Sequence, residues 1–196
     1  MTEVGPAGFR RIGDREIYQG QIWRVVVGEF EDPSGEHFER DIVRSPGAVA
    51  AVPLIFDAEG QPSVVLVAQY RAAYEREIIE IPAGMRDVDG EPPEETARRE
   101  LAEEVGLAPG RLDELIAMLP QPGTSDSTTI IYLATDCTPA PLQPHGPEEE
   151  HARVLHVPLP EAVAMVERGE ITDAKSVAGL LLTERRLRAA DSEVGR

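Results

Sequence analysis

Short apolar runs separated by turn residues dominate the first part of the chain. β-Branched and aromatic residues predict strands at residues 16–18, 22–27 and 37–43, with glycines and an Asp-Pro-Ser-Gly run between them. This N-terminal β segment, residues 1–45, is too small to form a core of its own. We therefore expect it to pack on the main body of the protein or on a second subunit.

Longer apolar runs predict a larger domain over residues 46–196. The predicted strands span residues 48–56, 64–69, 77–81, 112–119, 128–135 and 152–157. Helices are predicted at residues 161–168 and from a cap at Asp173 through residues 180–182, and a Pro- and Glu-rich loop occupies residues 138–150. Strands with interspersed helices predict a mixed α/β sandwich.

One further helix, between Pro93 and Gly106, has an acidic face next to its apolar one. Proline suits a helix start and glycine a helix end. At ~3.6 residues per turn, one line of this helix is apolar and the adjoining face is acidic. The apolar line comprises Ala97, Leu101 and Val105, and the acidic face comprises Glu100, Glu103 and Glu104. Like charges at this spacing repel each other. A hard divalent cation such as Mg²⁺ would hold these three carboxylates together. The alternative is that they form an acidic face exposed to solvent.

Composition narrows the class of protein. A chain of 196 residues is long enough for one well-buried domain. The formal net charge of −17 argues against binding to nucleic acid or to an anionic membrane. Cys137 is the single cysteine, which excludes an internal disulfide and a cysteine metal cluster. The N-terminus lacks an apolar core of signal-peptide length and no run approaches a membrane span, so we expect a cytoplasmic protein.

The region around the acidic helix resembles the signature box of the Nudix hydrolases. That box reads Gly, a spacer, Glu, a seven-residue spacer and R-E-U-x-E-E-x-G-U, where U is aliphatic. The matching residues here are Gly84, Glu91 and the run R-E-L-A-E-E-V-G-L from Arg99 to Leu107. The interval from Gly84 to Glu91 is one residue longer than usual, and we expect the extra residue in the turn-like stretch 87–90. The resemblance implies the Nudix fold, a mixed sheet sandwiched between helices.

Features outside the box look like the ADP-ribose pyrophosphatase branch of this family. Residues 69–74 and 80–84 resemble its approach to the box, and Pro122 stands where this branch carries a marker proline. Residues 122–126 are similar to its substrate loop, although the branch often has a glutamate at or beside position 126. Residues 40–43 resemble a segment used across a dimer interface, so the resemblance implies a homodimer.

The resemblance implies Mg²⁺-dependent hydrolysis of the pyrophosphate bond of ADP-ribose to AMP and ribose 5-phosphate, with Mn²⁺ as an alternative metal. The implied catalytic residues are Glu148 as general base, Glu104, and Arg99, which orients the carboxylates. The implied metal ligands are the Ala83 carbonyl, Glu100, Glu103, Glu104 and Glu150. The substrate-binding candidates are Trp23, Arg40, Arg71, Glu80, Met85, Pro122, Gly123 and Asp126. The choice of base among Glu148, Glu149 and Glu150 stays open.

Plainer interpretations exist for these residues. The glutamates at 148–150 also fit a solvated loop, Arg40 and Arg71 fit ordinary surface arginines, and Trp23 fits a half-buried core position. Two other functions are open. One is hydrolysis of another nucleoside diphosphate sugar, and the other is a Nudix-fold module that senses a nucleotide without cleaving it. The intact acids argue against a sensor, which has no need to keep repelling charges.

Overall fold

The structure is a computed structural model that describes residues 6–194, and the chain divides into two compact units. The first unit comprises Met1–Gly47 and Leu119–Thr128. After a 3₁₀ turn it contains an antiparallel sheet whose strands follow chain order. Its elements are the turn Pro6–Gly8 and the strands β1 (Arg10–Gln19), β2 (Arg24–Glu31) and β3 (His37–Arg44).

The predicted strand at residues 22–27 begins two residues later than expected. The Gly20 N–H donates to the Trp23 carbonyl at 2.8 Å, so Ile22 and Trp23 belong to the turn that precedes β2.

The loop Leu119–Thr128 is hydrogen-bonded to β3. The Val43 N–H donates to the Thr124 carbonyl at 2.8 Å, and the Ser125 hydroxyl donates to the Val43 carbonyl at 3.0 Å. This unit is therefore assembled from two stretches that are distant in sequence.

The second unit comprises Ala48–Met118 and Thr129–Arg196. Its strands are β4 (Ala48–Phe56), β5 (Pro62–Arg71), β6 (Arg76–Glu80), β7 (Ala83–Met85), β8 (Leu107–Ala108), β9 (Arg111–Met118), β10 (Thr129–Thr135), β11 (Thr138–Pro139) and β12 (Arg153–Pro158). Its helices are α1 (Pro93–Val105), α2 (Pro147–Glu150), α3 (Leu159–Glu167) and α4 (Ala174–Val194). The main sheet has the order β12-β5-β4-β10-β9, with β6 on β5 and β7 on β4, while β8 and β11 form a separate pair.

The main sheet is mixed and has helices on both faces. Strand β10 runs parallel to β4, and the other pairings are antiparallel. Side chains alternate along β4, so Val49 and Ala51 pack with α1 while Val52 packs with α3 and α4. Gly179 lets α4 lie close, because a Cβ there would come within 2.9 Å of Val52 Cγ2. The predicted fold class, a mixed sheet sandwiched between helices, is confirmed.

Helix α1 matches its prediction, whereas the elements around it add detail that the sequence did not predict. Gly106 ends α1 in the left-handed conformation, at φ 63°. After β6 the chain leaves β5 and continues as β7 on β4. The predicted loop at 138–150 contains β11 and the single-turn helix α2, and helix α4 runs well beyond residue 182, to Val194. Within residues 6–194, none of the helices has the length and apolarity needed to cross a membrane.

Candidate active site

Two acidic residues of α1, Glu100 and Glu104, are buried by the same packing that buries its apolar line. Ala97 and Leu101 lie in the core between α1 and the sheet. Glu100 and Glu104 follow one turn apart on the neighbouring face, and only 9% and 8% of their surfaces are exposed. A carboxylate at such a position loses most of its contact with water, which favours its neutral form unless a cation compensates.

Strand β7 lies directly against these two carboxyl groups. A Cβ on Gly84 would stand 1.9 Å from the carboxyl carbon of Glu100, so any larger residue at this position would displace that side chain. The neighbouring Ala83 N–H donates to Glu104 Oε2 at 2.9 Å. The absence of a side chain at Gly84 thus makes room for Glu100, and the backbone at Ala83 orients Glu104.

Arg99 is the cation among these acids. Its Nη1 donates to Glu100 Oε1 at 2.7 Å and to Glu103 Oε2 at 3.0 Å, and its Nη2 donates to Glu91 Oε2 at 3.4 Å. One guanidinium therefore connects three carboxylates. We call Arg99 and the four acids Glu91, Glu100, Glu103 and Glu104 the box cluster.

The box cluster holds more negative charge than Arg99 neutralises. Burial raises the pKa of Glu100 to about 7, and the charge of Glu103 adds to this effect. Burial raises the pKa of Glu104 to about 8, against the opposing hydrogen bond from Ala83, and the charges of Glu100 and Glu149 raise it further. Near neutral pH these two acids therefore ionise together only at a cost, which a bound cation would offset.

The acidic loop brings Glu149, rather than its neighbours, towards this cluster. Glu149 is half-buried and lines a small cavity together with Glu104 and Gln69, whereas Glu148 and Glu150 are exposed. The Glu149 Oε2 atom also accepts a hydrogen bond from the His145 N–H at 2.6 Å. The sequence left the choice among the three glutamates open, and their placement on α2 distinguishes Glu149 from the other two.

The donor chemistry of the box cluster fits a hard divalent cation. Its carboxylate oxygens, together with the Ala83 carbonyl, are the ligand type that Mg²⁺ prefers. Within residues 6–194, no three His, Cys, Asp or Glu side chains are arranged around a common metal position. Here Arg99 draws Glu91, Glu100 and Glu103 to itself, and the Ala83 N–H holds Glu104. Metal binding would require these carboxylates to turn.

Four of the predicted substrate residues line one cavity in the first unit. It has a volume of about 400 Å³ and is formed by β2, β3 and the loop Leu119–Thr128. The four are Arg40, Pro122, Gly123 and Asp126, and Phe9, Phe30 and Phe38 supply an aromatic side. The Arg40 guanidinium carbon lies 4.8 Å from the centre of the Phe38 ring. This cavity, which we call the aromatic cavity, combines aromatic rings with a cation.

Asp126 also has a structural contact within its own unit, and Trp23 lies away from the other substrate candidates of that unit. Arg44 Nη1 donates to Asp126 Oδ2 at 3.1 Å and the Ser45 N–H donates to Asp126 Oδ1 at 3.0 Å, so Asp126 already anchors its loop. Trp23 is 54% exposed, which makes the half-buried core interpretation wrong. It lies in the turn before β2 and does not line the aromatic cavity.

The remaining substrate candidates belong to the second unit. Arg71 donates to Glu80 through two nitrogens, from Nε to Oε1 at 2.6 Å and from Nη2 to Oε2 at 2.8 Å. Lys175 contacts the same carboxylate, which is almost fully buried. Burial tends to raise the pKa of Glu80, but hydrogen bonds and charges from Arg71 and Lys175 outweigh it and lower that pKa. Met85 is partly buried at the end of β7.

Comparison with known proteins decides the family. The family model described as the NUDIX domain matches residues 45–180, which is more than half of the chain. The chain belongs to the Nudix family. Its relatives include the ADP-ribose pyrophosphatase of Bacillus subtilis (strain 168), which is 36% identical over 167 residues, 85% of this chain and 88% of the relative.

Two further similar proteins extend this comparison. The ADP-ribose pyrophosphatase of Mycobacterium tuberculosis (strain ATCC 25618 / H37Rv) is 36% identical over 173 residues, 88% of this chain and 82% of the relative. A solved structure, the crystal structure of an ADP compounds hydrolase, has a TM-score of 0.77 at 24% identity and covers 92% of this chain and 94% of its own, which supports the fold. The prediction of a Nudix pyrophosphohydrolase is confirmed. Nudix ADP-ribose pyrophosphatases generally use divalent metal ions.

Sequence reasoning missed the roles of several charged residues beside the predicted site residues. His145 had no assigned role, yet its Nδ1 lies 3.4 Å from Glu103 Oε2. Lys175 and Asp173 join the buried pair of Arg71 and Glu80, although they are far from it in sequence. The one available signal was that Lys175 is the sole lysine of the chain. The contacts themselves depend on how α4 meets β6, which no local pattern specifies.

Proposed function

We propose that this Nudix enzyme hydrolyses the pyrophosphate bond of ADP-ribose, yielding AMP and ribose 5-phosphate, with Mg²⁺ as its metal. The observation that carries the proposal is the box cluster, in which Glu100 and Glu104 are buried beside Gly84 with too few cations. The choice of ADP-ribose is supported by relatives named ADP-ribose pyrophosphatase that align over most of the chain.

The proposed metal ligands are Glu100 and Glu104, with Glu103, Glu150 and the Ala83 carbonyl. When bound, the metal would neutralise phosphate charge and favour ionisation of a water molecule. Arg99 holds the carboxylates in place through its contacts with Glu100 and Glu103. Its guanidinium is thereby committed to the acids, which supports the proposed orienting role rather than a contact with substrate.

The proposed general base is an acid of α2. Glu148 was the choice from sequence, but the position of Glu149 beside Glu104 supports Glu149 as the group that accepts the proton of the attacking water. A base must come within hydrogen-bond reach of that proton, directly or through one water molecule. Glu148→Gln, Glu149→Gln and Glu150→Gln test this choice. We expect the loss of kcat to be largest for Glu149→Gln, and an equal or larger loss for Glu148→Gln would restore the choice made from sequence.

The proposed substrate contacts fall into two sets. Arg71 is proposed to bind a phosphate, because its side chain is partly exposed and lines a cavity of the second unit. The aromatic cavity with Arg40, Pro122, Gly123 and Asp126 is proposed to bind the nucleoside or ribose, since aromatic rings can stack with bases. Substrate contacts by Trp23, Glu80 and Met85 stay predictions.

Homodimerisation and a cytoplasmic location also stay predictions. Light scattering on the purified protein tests the homodimer.

A product assay tests the function directly. The protein is stripped of metal, supplied with Mg²⁺ or Mn²⁺, and given ADP-ribose beside a panel of other nucleoside diphosphate sugars. We expect AMP and ribose 5-phosphate from ADP-ribose at the highest kcat/KM, and no product without added metal. Faster cleavage of another nucleoside diphosphate sugar would identify that compound, rather than ADP-ribose, as the substrate. Binding of a compound from the panel with no cleavage of any of them would indicate the nucleotide-sensing alternative.

Two controls complete this assay. Glu104→Gln removes a proposed metal ligand, whereas Glu94→Gln makes the same chemical change at an exposed position of α1. We expect activity in the Glu94→Gln variant and little in the Glu104→Gln variant, which excludes a contaminating hydrolase. Reaction in ¹⁸O-labelled water then shows which product takes up the water oxygen, and therefore which phosphorus is attacked.

A further inference from the structure

A buried network of alternating charges lies beside the cavity that exposes Arg71. Glu80 stands at the end of β6, with only 4% of its side chain exposed. Both of its carboxylate oxygens accept hydrogen bonds from Arg71, at 2.6 and 2.8 Å, and Lys175 contacts the Oε2 atom as well. Lys175 also contacts Asp173 Oδ2 at 3.0 Å. The network therefore contains two cations and two anions.

Lys175 is held in position by the beginning of α4. Asp173 Oδ2 accepts hydrogen bonds from the Ser176 N–H at 3.0 Å and the Ser176 hydroxyl at 2.5 Å. The Ser176 hydroxyl oxygen in turn accepts the Ile81 N–H at 2.8 Å. These contacts join the start of α4 to the residue that follows β6. The ammonium group of Lys175 thus reaches Glu80 from a fixed backbone, and its side chain is only 15% exposed.

Arg71 has the most exposed charged side chain of this network. Its side chain is 40% exposed, and it lines a cavity of about 640 Å³ that also includes Tyr74, Arg76 and Lys175. The Nε and Nη2 atoms face Glu80. Among residues 6–194, nothing accepts a hydrogen bond from Nη1. Because a guanidinium is planar and its donors have fixed directions, the Glu80 carboxylate determines where the other edge points.

We propose that Lys175 is a positioning residue, which neutralises the acids beside Arg71 and so keeps the outer edge of that guanidinium available to a phosphate group of the substrate. This inference rests on the proposed function for its substrate. Without the Lys175 ammonium, Arg71 would be the one remaining cation of this network, facing the two negative charges of Glu80 and Asp173. Their field would oppose a phosphate, and Arg71 would be drawn towards them.

The test compares Lys175→Met with matched variants. Lys175→Arg keeps the charge, and Arg188→Met removes one positive charge from an exposed position of the same helix α4. We expect Lys175→Met to raise KM for ADP-ribose about tenfold with kcat within about twofold, the size expected for one hydrogen bond to a charged group. Lys175→Arg should restore most of the affinity, and Arg188→Met should match the wild type. Thermal melting confirms that each variant is folded.

A second measurement separates this inference from the choice of substrate. Inorganic pyrophosphate, with Mg²⁺ present, is titrated as a ligand of the wild type, Arg71→Met and Lys175→Met. We expect both substitutions to weaken its binding, whatever sugar the enzyme prefers. Wild-type affinity in either variant would overturn the proposal, as would an unchanged KM in Lys175→Met. If only ADP-ribose turnover is missing while pyrophosphate binding follows the expected order, the proposed substrate fails and the positioning role stands.

A folding defect would not end the test. If Lys175→Met does not fold, Lys175→Gln replaces it, because the Gln amide can still donate a hydrogen bond to Glu80 while the charge is lost. The proposal predicts weaker pyrophosphate binding for this neutral variant too. Wild-type binding by Lys175→Gln would show that the hydrogen bond alone suffices and would overturn the role assigned to the charge.

Discussion

Two charge clusters of the second unit contain buried glutamates whose pKa values are shifted in opposite directions. In the network of Glu80, each carboxylate has cationic partners, and the pKa of Glu80 is lowered although burial opposes this. In the box cluster, Arg99 serves several acids, and the pKa values of Glu100 and Glu104 rise to about 7 and about 8. Burial is common to both, so the balance of charge accounts for the difference. In the network of Glu80, the cations of the chain itself balance the acids. In the box cluster the acids outnumber the cations, so a bound cation would stabilise it.

The largest expected effect is on catalysis in the cluster that lacks cations. Glu104→Gln removes a proposed metal ligand while keeping the size of the side chain. We expect kcat to fall by about 10³-fold at saturating Mg²⁺, within the range that metal and acid–base groups contribute. Steady-state kinetics beside Glu94→Gln measures it. Activity close to that of the wild type would remove Glu104 from the site.

Gly84→Ala tests the close contact between β7 and Glu100. The added Cβ would overlap the Glu100 carboxyl group, so that side chain must move from its position. We expect about 10²-fold lower kcat, together with destabilisation of about 1–3 kcal/mol from overpacking. Gly13→Ala is the matched control, because a Cβ at Gly13 would meet nothing within 4 Å. Equal activity of the two variants would show that Glu100 can move without consequence.

Neutralising one acid in each cluster should change stability in opposite directions. Glu80→Gln leaves Arg71 and Lys175 with one carboxylate fewer, and we expect about 2 kcal/mol of destabilisation, below the range for a fully buried pair because Arg71 is partly exposed. That corresponds to a Tm lower by roughly 4–8 °C. Glu104→Gln should instead raise the Tm of the metal-free protein at pH 8. Calorimetry that found the same sign for both would contradict the contrast between the clusters.

The stability of the metal-free protein should also depend on pH, and added metal should have the smallest effect of all. The folded-state pKa values of Glu100 and Glu104 lie above the ordinary value of 4.5, so the folded protein binds more protons than the unfolded chain between these values. The free energy of unfolding of the metal-free protein should therefore fall as pH rises from about 5 to about 8. Added Mg²⁺ should raise Tm by a few degrees at pH 8 and less at pH 6. A metal effect independent of pH would argue against cation binding by these two acids.

Local patterns in the sequence predicted the framework better than the contacts within the site. Strand β4 begins and ends where its apolar run does, and α1 ends at Gly106 as expected, because both follow from periodicity and a glycine stop. The position of Glu149 beside Glu104 did not follow, since three glutamates in a row offer no local distinction. The contact of Lys175 with Glu80 joins residues 95 positions apart and depends on tertiary packing.

Asp126 shows the same limit in the first unit. Its place in the loop at 122–126 predicts a contact with substrate, which stays a prediction. It did not predict the hydrogen bonds that the Asp126 carboxylate accepts from Arg44 and from the Ser45 N–H. Arg44 also binds Asp14, whose pKa it lowers to about 2. A loop residue can thus serve to fasten the loop, and the sequence of the loop alone does not distinguish the two roles.

The discontinuous first unit has a consequence for attempts to shorten the protein. Deleting residues 1–47 would remove the backbone of Val43 and the side chain of Arg44, the partners to which Leu119–Thr128 is attached. The remaining chain would keep its signature box but carry an orphaned ten-residue excursion between β9 and β10. A minimal catalytic fragment cannot therefore be obtained by trimming one end, and a swap of the N-terminal segment between relatives would have to exchange that excursion as well.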